Sequence, residues 1–194
     1  MKACIYGAAS NNIDPTFIKA GEELGKALAK NGHGIVYGGG KNGMMGAVAR
    51  GVFEEEGEII GVAPKFFLVD GVLFENCTEF IYTETMRERK QIMEEKSDLF
   101  IVTPGGIGTF DEFFEIYSLR QLKRHTKNII IYNINGYFNP MLDMIKASID
   151  GHFVSPQNLK LLTVCETADE VIAAMNKKSK DESIYNLRCI MTDK

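Results

Sequence analysis

Pro104-Gly105-Gly106-Ile107-Gly108-Thr109-Phe110-Asp111-Glu112 is the stretch whose reading decides the fold. An apolar run at 98–102, ending Leu99-Phe100-Ile101-Val102, precedes it and reads as a buried strand. After it, an acidic and aromatic segment takes up helical spacing from Phe110 towards Leu122. Three glycines in four residues permit close approaches that a Cβ would forbid. Where a strand passes into a helix, they leave backbone N–H groups aimed at whatever lies above the sheet, a geometry suited to phosphate. Thr109 adds a hydroxyl, and Glu112 sits close to the same mouth. Thr109-x-x-Glu112 also spells a capping box, in which threonine caps the helix and glutamate reaches back to its N–H. The same spelling recurs at Thr85 and Glu88 and at Thr167 and Glu170, so spacing alone leaves Glu112 as either cap or functional carboxylate.

Working outward, the apolar runs alternate with helical patterns along the whole chain. Residues 1–6 form a short strand opening into Gly7-Ala8-Ala9-Ser10. Asp14-Pro15 marks a helix start, with aspartate as cap and proline at the first helical position. Strands are predicted at 34–37, 58–62, 79–82, 98–102, 128–132 and 160–164. Helices are predicted from the glycine-rich turn at 38–46 to about Glu55, from Thr85 to about Lys96, at 110–122, at 140–148 and at 167–176. Residues 65–78 carry Phe66, Phe67, Leu68, Val72, Leu73 and Phe74 without clear periodicity. Strand–helix alternation with short loops implies an α/β fold: a Rossmann-like, doubly wound parallel sheet with helices on both faces. Ligands of such sheets bind at the carboxyl ends of the strands.

Composition narrows the partners. A chain of 194 residues, 45% hydrophobic and 25% charged, reads as one domain over 1–176, with a tail at 177–194 that opens on a charged run. A net charge of −4 argues against a nucleic-acid surface, which needs clustered Lys and Arg. Cys4, Cys77, Cys165 and Cys189 form no C-x-x-C pair; with no signal peptide and no long apolar run, they read as reduced thiols of a cytoplasmic protein away from membranes. His33, His125 and His152 are scattered and no H-E-x-x-H occurs, so neither a metal nor another cofactor is expected.

Gly38-Gly39-Gly40-Lys41-Asn42-Gly43 matches G-x-G-x-x-G, but the acidic residue a dinucleotide fingerprint needs some twenty positions on is missing, and no G-K-[ST] makes it a P-loop. Three turns rich in small residues, at 7–10, 38–46 and 105–109, exceed what packing requires. In a parallel sheet all three lie along one edge and can converge on one phosphate.

Three of these motifs together resemble the Lonely Guy family of cytokinin-activating phosphoribohydrolases, often mislabelled lysine decarboxylases. They are Gly38-Gly39-Gly40-x-x-Gly43-Met44-Met45-Gly46, Met86-x-x-Arg89-Lys90 and Pro104-Gly105-Gly106-x-Gly108-Thr109-x-x-Glu112. The resemblance runs from residue 1 to about 176. It implies a Rossmann-like homodimer that hydrolyses the N-glycosidic bond of nucleoside 5′-monophosphates, especially N6-substituted adenine nucleotides, without a cofactor. By motif position it makes Arg89 and Glu112 the catalytic pair. Gly105, Gly106, Gly108 and Thr109 would hold the phosphate, helped by Ser10 in the first turn. Gly39, Gly40 and Gly43 would line the same cleft, and Met86 and Arg87 would lie near base or ribose. The first turn departs from the Cys-Gly-Ser-Ser of many relatives. The alternative is a nucleotide- or molybdenum-cofactor-binding carrier on the same fold, with no turnover. A pyridoxal-phosphate decarboxylase ranks third, since no lysine sits in a recognisable Schiff-base context.

Overall fold

The computed structural model describes residues 1–68 and 71–176; the tail expected at 177–194, with Cys189, lies outside them. Seven strands, β1 (Lys2–Tyr6), β2 (Gly34–Tyr37), β3 (Ile59–Pro64), β4 (Glu79–Thr83), β5 (Leu99–Val102), β6 (Ile129–Tyr132) and β7 (Leu162–Cys165), form one sheet in the order β4-β3-β2-β1-β5-β6-β7. Every pairing is parallel. The chain winds outward from β1 to one edge, then restarts with β5 on the other side of β1. The switch point therefore lies between β1 and β5, where ligand crevices of open α/β sheets form.

Six helices cover the two faces: α1 (Pro15–Lys30), α2 (Gly43–Glu54), α3 (Met86–Glu95), α4 (Ile107–Gln121), α5 (Asn139–Asp150) and α6 (Ala168–Met175). Because side chains alternate along a strand, β1 sends Ala3 and Ile5 to one core and Cys4 and Tyr6 to the other. The first core takes Leu24 and Leu28 of α1, Val48 and Val52 of α2 and Val171 of α6. The second takes Met93 of α3, Phe113, Ile116 and Tyr117 of α4 and Ile145 and Ile149 of α5. With both faces covered, the strands can be apolar throughout, which is why they read as short unbroken apolar runs.

The fold expected from sequence is the fold observed, with element boundaries displaced by up to three residues. Residues 156–161 form a 3-10 turn, so the last strand starts at Leu162 rather than 160. More consequentially, α4 begins at Ile107 rather than Phe110, and its N-cap is Gly106. Two of the glycines that obscure helical periodicity in the sequence, Gly106 and Gly108, are the N-cap and part of the first turn of this helix.

Candidate active site

That early start changes what Thr109 and Glu112 can do. Thr109 lies inside α4 instead of capping it, and α4 has no side-chain cap. The other two copies of the pattern do form caps: Glu88 N donates to Thr85 Oγ1 at 3.1 Å and Glu170 N to Thr167 Oγ1 at 3.2 Å. Their glutamates also reach back, Glu84 N donating to Glu88 Oε2 and Glu166 N to Glu170 Oε2. Glu112 reaches back to nothing of the kind. Its Oε1 instead accepts from Nη1 of Arg89 at 2.7 Å.

Arg89 is buried on α3 together with Met93, on a helix otherwise mostly polar. The cap at Thr85 fixes the start of α3 so that Arg89 turns inward, where its Nε donates to Val62 O at the end of β3, 3.1 Å away. Its guanidinium also lies over Gly38, where an added Cβ would fall 1.9 Å from Nη2. Arg89 and Glu112 are 7% and 8% exposed, so both charges are largely withdrawn from water. Burial pushes the Glu112 carboxyl above the ordinary range for glutamate, while the Arg89 charge and hydrogen bond pull it down.

The three small-residue turns meet as the topology requires. Ala8 N donates to Pro104 O at 3.0 Å, and Met45 N to Ala8 O at 3.2 Å. Gly43 N donates to Asn11 Oδ1 at 2.7 Å, and Asn11 in turn donates to Asn42 Oδ1. Gly43 has φ +65° and a Cβ there would sit 2.4 Å from Ala8 O, so the two turns dock only through glycine. Above them opens a cleft of about 480 Å³, a size suited to a small ligand.

Ser10, Gly40, Met86, Gly106, Gly108, Thr109, Arg89 and Glu112 all line this cleft. Gly39, Gly43 and Gly105 shape the supporting turns without lining it, and Arg87 lines a separate, smaller hollow with Lys90, Gln91 and Glu94. Sequence reasoning missed Gly38, Asn42 and Met45 as wall residues, together with Phe67, Val72 and Leu73 from the aperiodic segment. A main-chain bridge between Gly40 and Leu73 brings that segment over the mouth. Nothing in its spacing signals this; its run of unpatterned apolar residues was the available sign.

Chemically the cleft lining is mixed. The uncapped first turn of α4 offers N–H groups at a helix N-terminus. Met45, Phe67, Val72, Leu73 and Met86 supply an apolar wall. Arg89 is the only cationic side chain among the described lining residues. Among the described residues, no group of three or more His, Cys, Asp or Glu is placed to hold a metal ion.

Fold and cleft together define a Rossmann-like protein whose cleft opens at the switch point of a parallel sheet. Among solved structures, it is similar to a molybdenum cofactor binding protein of Rippkaea orientalis, with a TM-score of 0.69 and 19% identity over 90% of this chain and 94% of that one. At that identity the likeness speaks for the fold. A family model described as possible lysine decarboxylase matches residues 45–175. A cytokinin riboside 5′-monophosphate phosphoribohydrolase of Mycobacterium tuberculosis is 36% identical over 88% of this chain and 90% of its own length. A probable enzyme of the same name from Oryza sativa subsp. japonica is 33% identical over 88% of this chain and 81% of its own. The chain belongs to this phosphoribohydrolase family, also called the Lonely Guy family.

Proposed function

We propose that this protein hydrolyses the N-glycosidic bond of adenosine 5′-monophosphates, including N6-substituted ones, releasing the free base and ribose 5-phosphate. The observation that carries the proposal is the diversion of Glu112 from a cap into a buried pair with Arg89 at the cleft. As the C1′–N bond breaks, positive charge builds on the ribosyl ring. The Glu112 carboxylate stabilises that charge, orients the attacking water and takes its proton; water oxygen bonds to C1′ as the base departs, and the base takes a proton from solvent. Arg89 positions Glu112 and stabilises negative charge on phosphate or leaving base.

The phosphate rests on Gly106, Gly108 and Thr109 at the start of α4, and the adenine lies against the apolar wall. Gly39, Gly40, Gly43, Gly105 and Ser10 support that binding, and Met86 stands nearest base or ribose, whereas Arg87, expected beside it, faces the neighbouring hollow. The family model's description as a lysine decarboxylase has no counterpart in the cleft, since no lysine is among its described lining residues.

A homodimer is part of this reading. Phe66 (59% exposed) and Ile107 (83% exposed) stand beside the mouth, an apolar rim a second copy would cover. Phe113 contributes nothing to such a surface, because it is wholly buried in the protomer's own core. A cytoplasmic location accords with the unbridged thiols of Cys4 and Cys77. No helix among the described residues is long and apolar enough to cross a membrane.

The alternative, a nucleotide- or molybdenum-cofactor-binding carrier on the same fold, is separated from the hydrolase by one assay. Incubated with AMP or isopentenyl-AMP, the hydrolase releases free base and ribose 5-phosphate in equal amounts. A carrier returns the nucleotide intact.

A further inference from the structure

We propose that Tyr137, which does not line the cleft, is a positioning residue that aims the phosphate-binding peptide between Gly105 and Gly106. The inference rests on reading the cleft as a nucleoside monophosphate site.

Tyr137 Oη donates to the carbonyl of Gly105 at 2.6 Å, from a residue 32 positions further along the chain. Among the described residues every peptide bond is trans, so in the unit joining Gly105 to Gly106 the C=O and N–H point in opposite directions. Fixing the Gly105 carbonyl on the Tyr137 side therefore turns the Gly106 N–H towards the cleft that Gly106 lines. The hydrogen bond also polarises the peptide, which makes that N–H a stronger donor. Without it, a glycine peptide is among the easiest in a protein to rotate.

The rest of the turn after β6 is built to hold the tyrosine there. Asn135 and Gly136 take consecutive positive φ values of +52° and +71°, reversing the chain immediately before it. Asn133 clamps the far side, its Oδ1 accepting from Phe138 N at 2.7 Å and its Nδ2 donating to Asn139 Oδ1 at 2.9 Å. The Tyr137 ring packs edge-on against Phe17 of α1 and against Phe138. On the glycine side, Gly105 is pinned by Thr109, whose Oγ1 lies 2.1 Å from where a Cβ would be. The strained turn, the asparagine clamp and the ring contacts thus end in a single hydroxyl on a single carbonyl.

The test is Tyr137→Phe, which keeps the ring and its packing and removes only the hydroxyl. Binding of ribose 5-phosphate and of adenosine is measured by calorimetry, and KM and kcat are measured with AMP. Ribose 5-phosphate affinity should fall about 3- to 10-fold, the range for losing one hydrogen bond. KM for AMP should rise by the same factor, with kcat within about twofold of wild type and adenosine binding unchanged. Unaltered ribose 5-phosphate affinity overturns the proposal. Equal weakening of adenosine also overturns it, because a general loosening of the cleft predicts that result. The binding arm decides the question even if wild type proves to release no base from AMP, an outcome that would defeat the hydrolase reading alone.

Discussion

Arg89 on α3 and Glu112 on α4 meet at 2.7 Å, 23 residues apart in the chain, on the two helices that precede and follow β5. The contact closes over Gly38 and is tied to β3 through Val62 O. A buried ion pair is poor evidence of stability, because removing two charges from water offsets most of their attraction. This pair sits at the mouth of a cleft, next to an uncapped helix start, where a developing positive charge would meet the carboxylate. Its position fits catalysis better than scaffolding.

Gly38→Ala tests whether the pair needs its present geometry. The new methyl would fall 1.9 Å from Nη2 of Arg89, the movable end of a long side chain. The arginine gives way and the backbone does not, so the fold should persist by circular dichroism. Base release should fall by about tenfold or more, since a misplaced charge forfeits its preorganisation. Wild-type turnover in this variant would show that the Arg89 position is immaterial.

The pH profile should carry the mark of burial. Desolvation raises the Glu112 carboxyl above its ordinary value, with Arg89 opposing it, and the proposed mechanism uses the ionised form. As pH falls through that raised pKa, Glu112 is protonated and activity is lost. The acid limb of kcat/KM should therefore lie above about 4.3, the value for an unperturbed glutamate. An acid limb at or below that value would assign the limb to another group.

The sheet was legible in the sequence because fully covered parallel strands are short apolar runs, and Val102, Tyr37 and Tyr6 each end one at a turn of small residues. The start of α4 was not, because Gly106 and Gly108 are poor helix formers and disguise a first turn that tertiary contacts impose. The Arg89–Glu112 meeting was legible only through family resemblance. Local pattern carries no information on which residues of two separate helices will touch. Arg87 illustrates the same gap, since it is two positions from Arg89 yet turns to the neighbouring hollow. Tyr137 gave no motif of its own; only the Asn135-Gly136 pair before it marked a tight turn.

Removal of divalent ions should leave turnover intact. No cluster of suitable ligands occurs among the described residues, and the start of α4 can meet the phosphate with N–H groups. Activity measured before and after EDTA treatment should agree within about twofold. Loss on chelation with recovery on adding Mg²⁺ would contradict this.

In solution the protein should be a dimer, with light scattering giving about twice the 21.6 kDa of one chain. A concentration-independent mass of one chain would contradict the proposed covering of Phe66 and Ile107.

The central claim is that Glu112 acts through its charge, and Glu112→Gln measures this most directly with Glu170→Gln as its internal control. Both glutamates stand in T-x-x-E sequences, but Glu170 completes a cap on α6 and Glu112 does not on α4. Glutamine can make the reciprocal bond of a capping box, so Glu170→Gln should release adenine from AMP at the wild-type rate. Glu112→Gln should stay folded, bind ribose 5-phosphate nearly as well as wild type, and lose roughly two to four orders of magnitude in turnover. Wild-type release of adenine by Glu112→Gln would contradict the account.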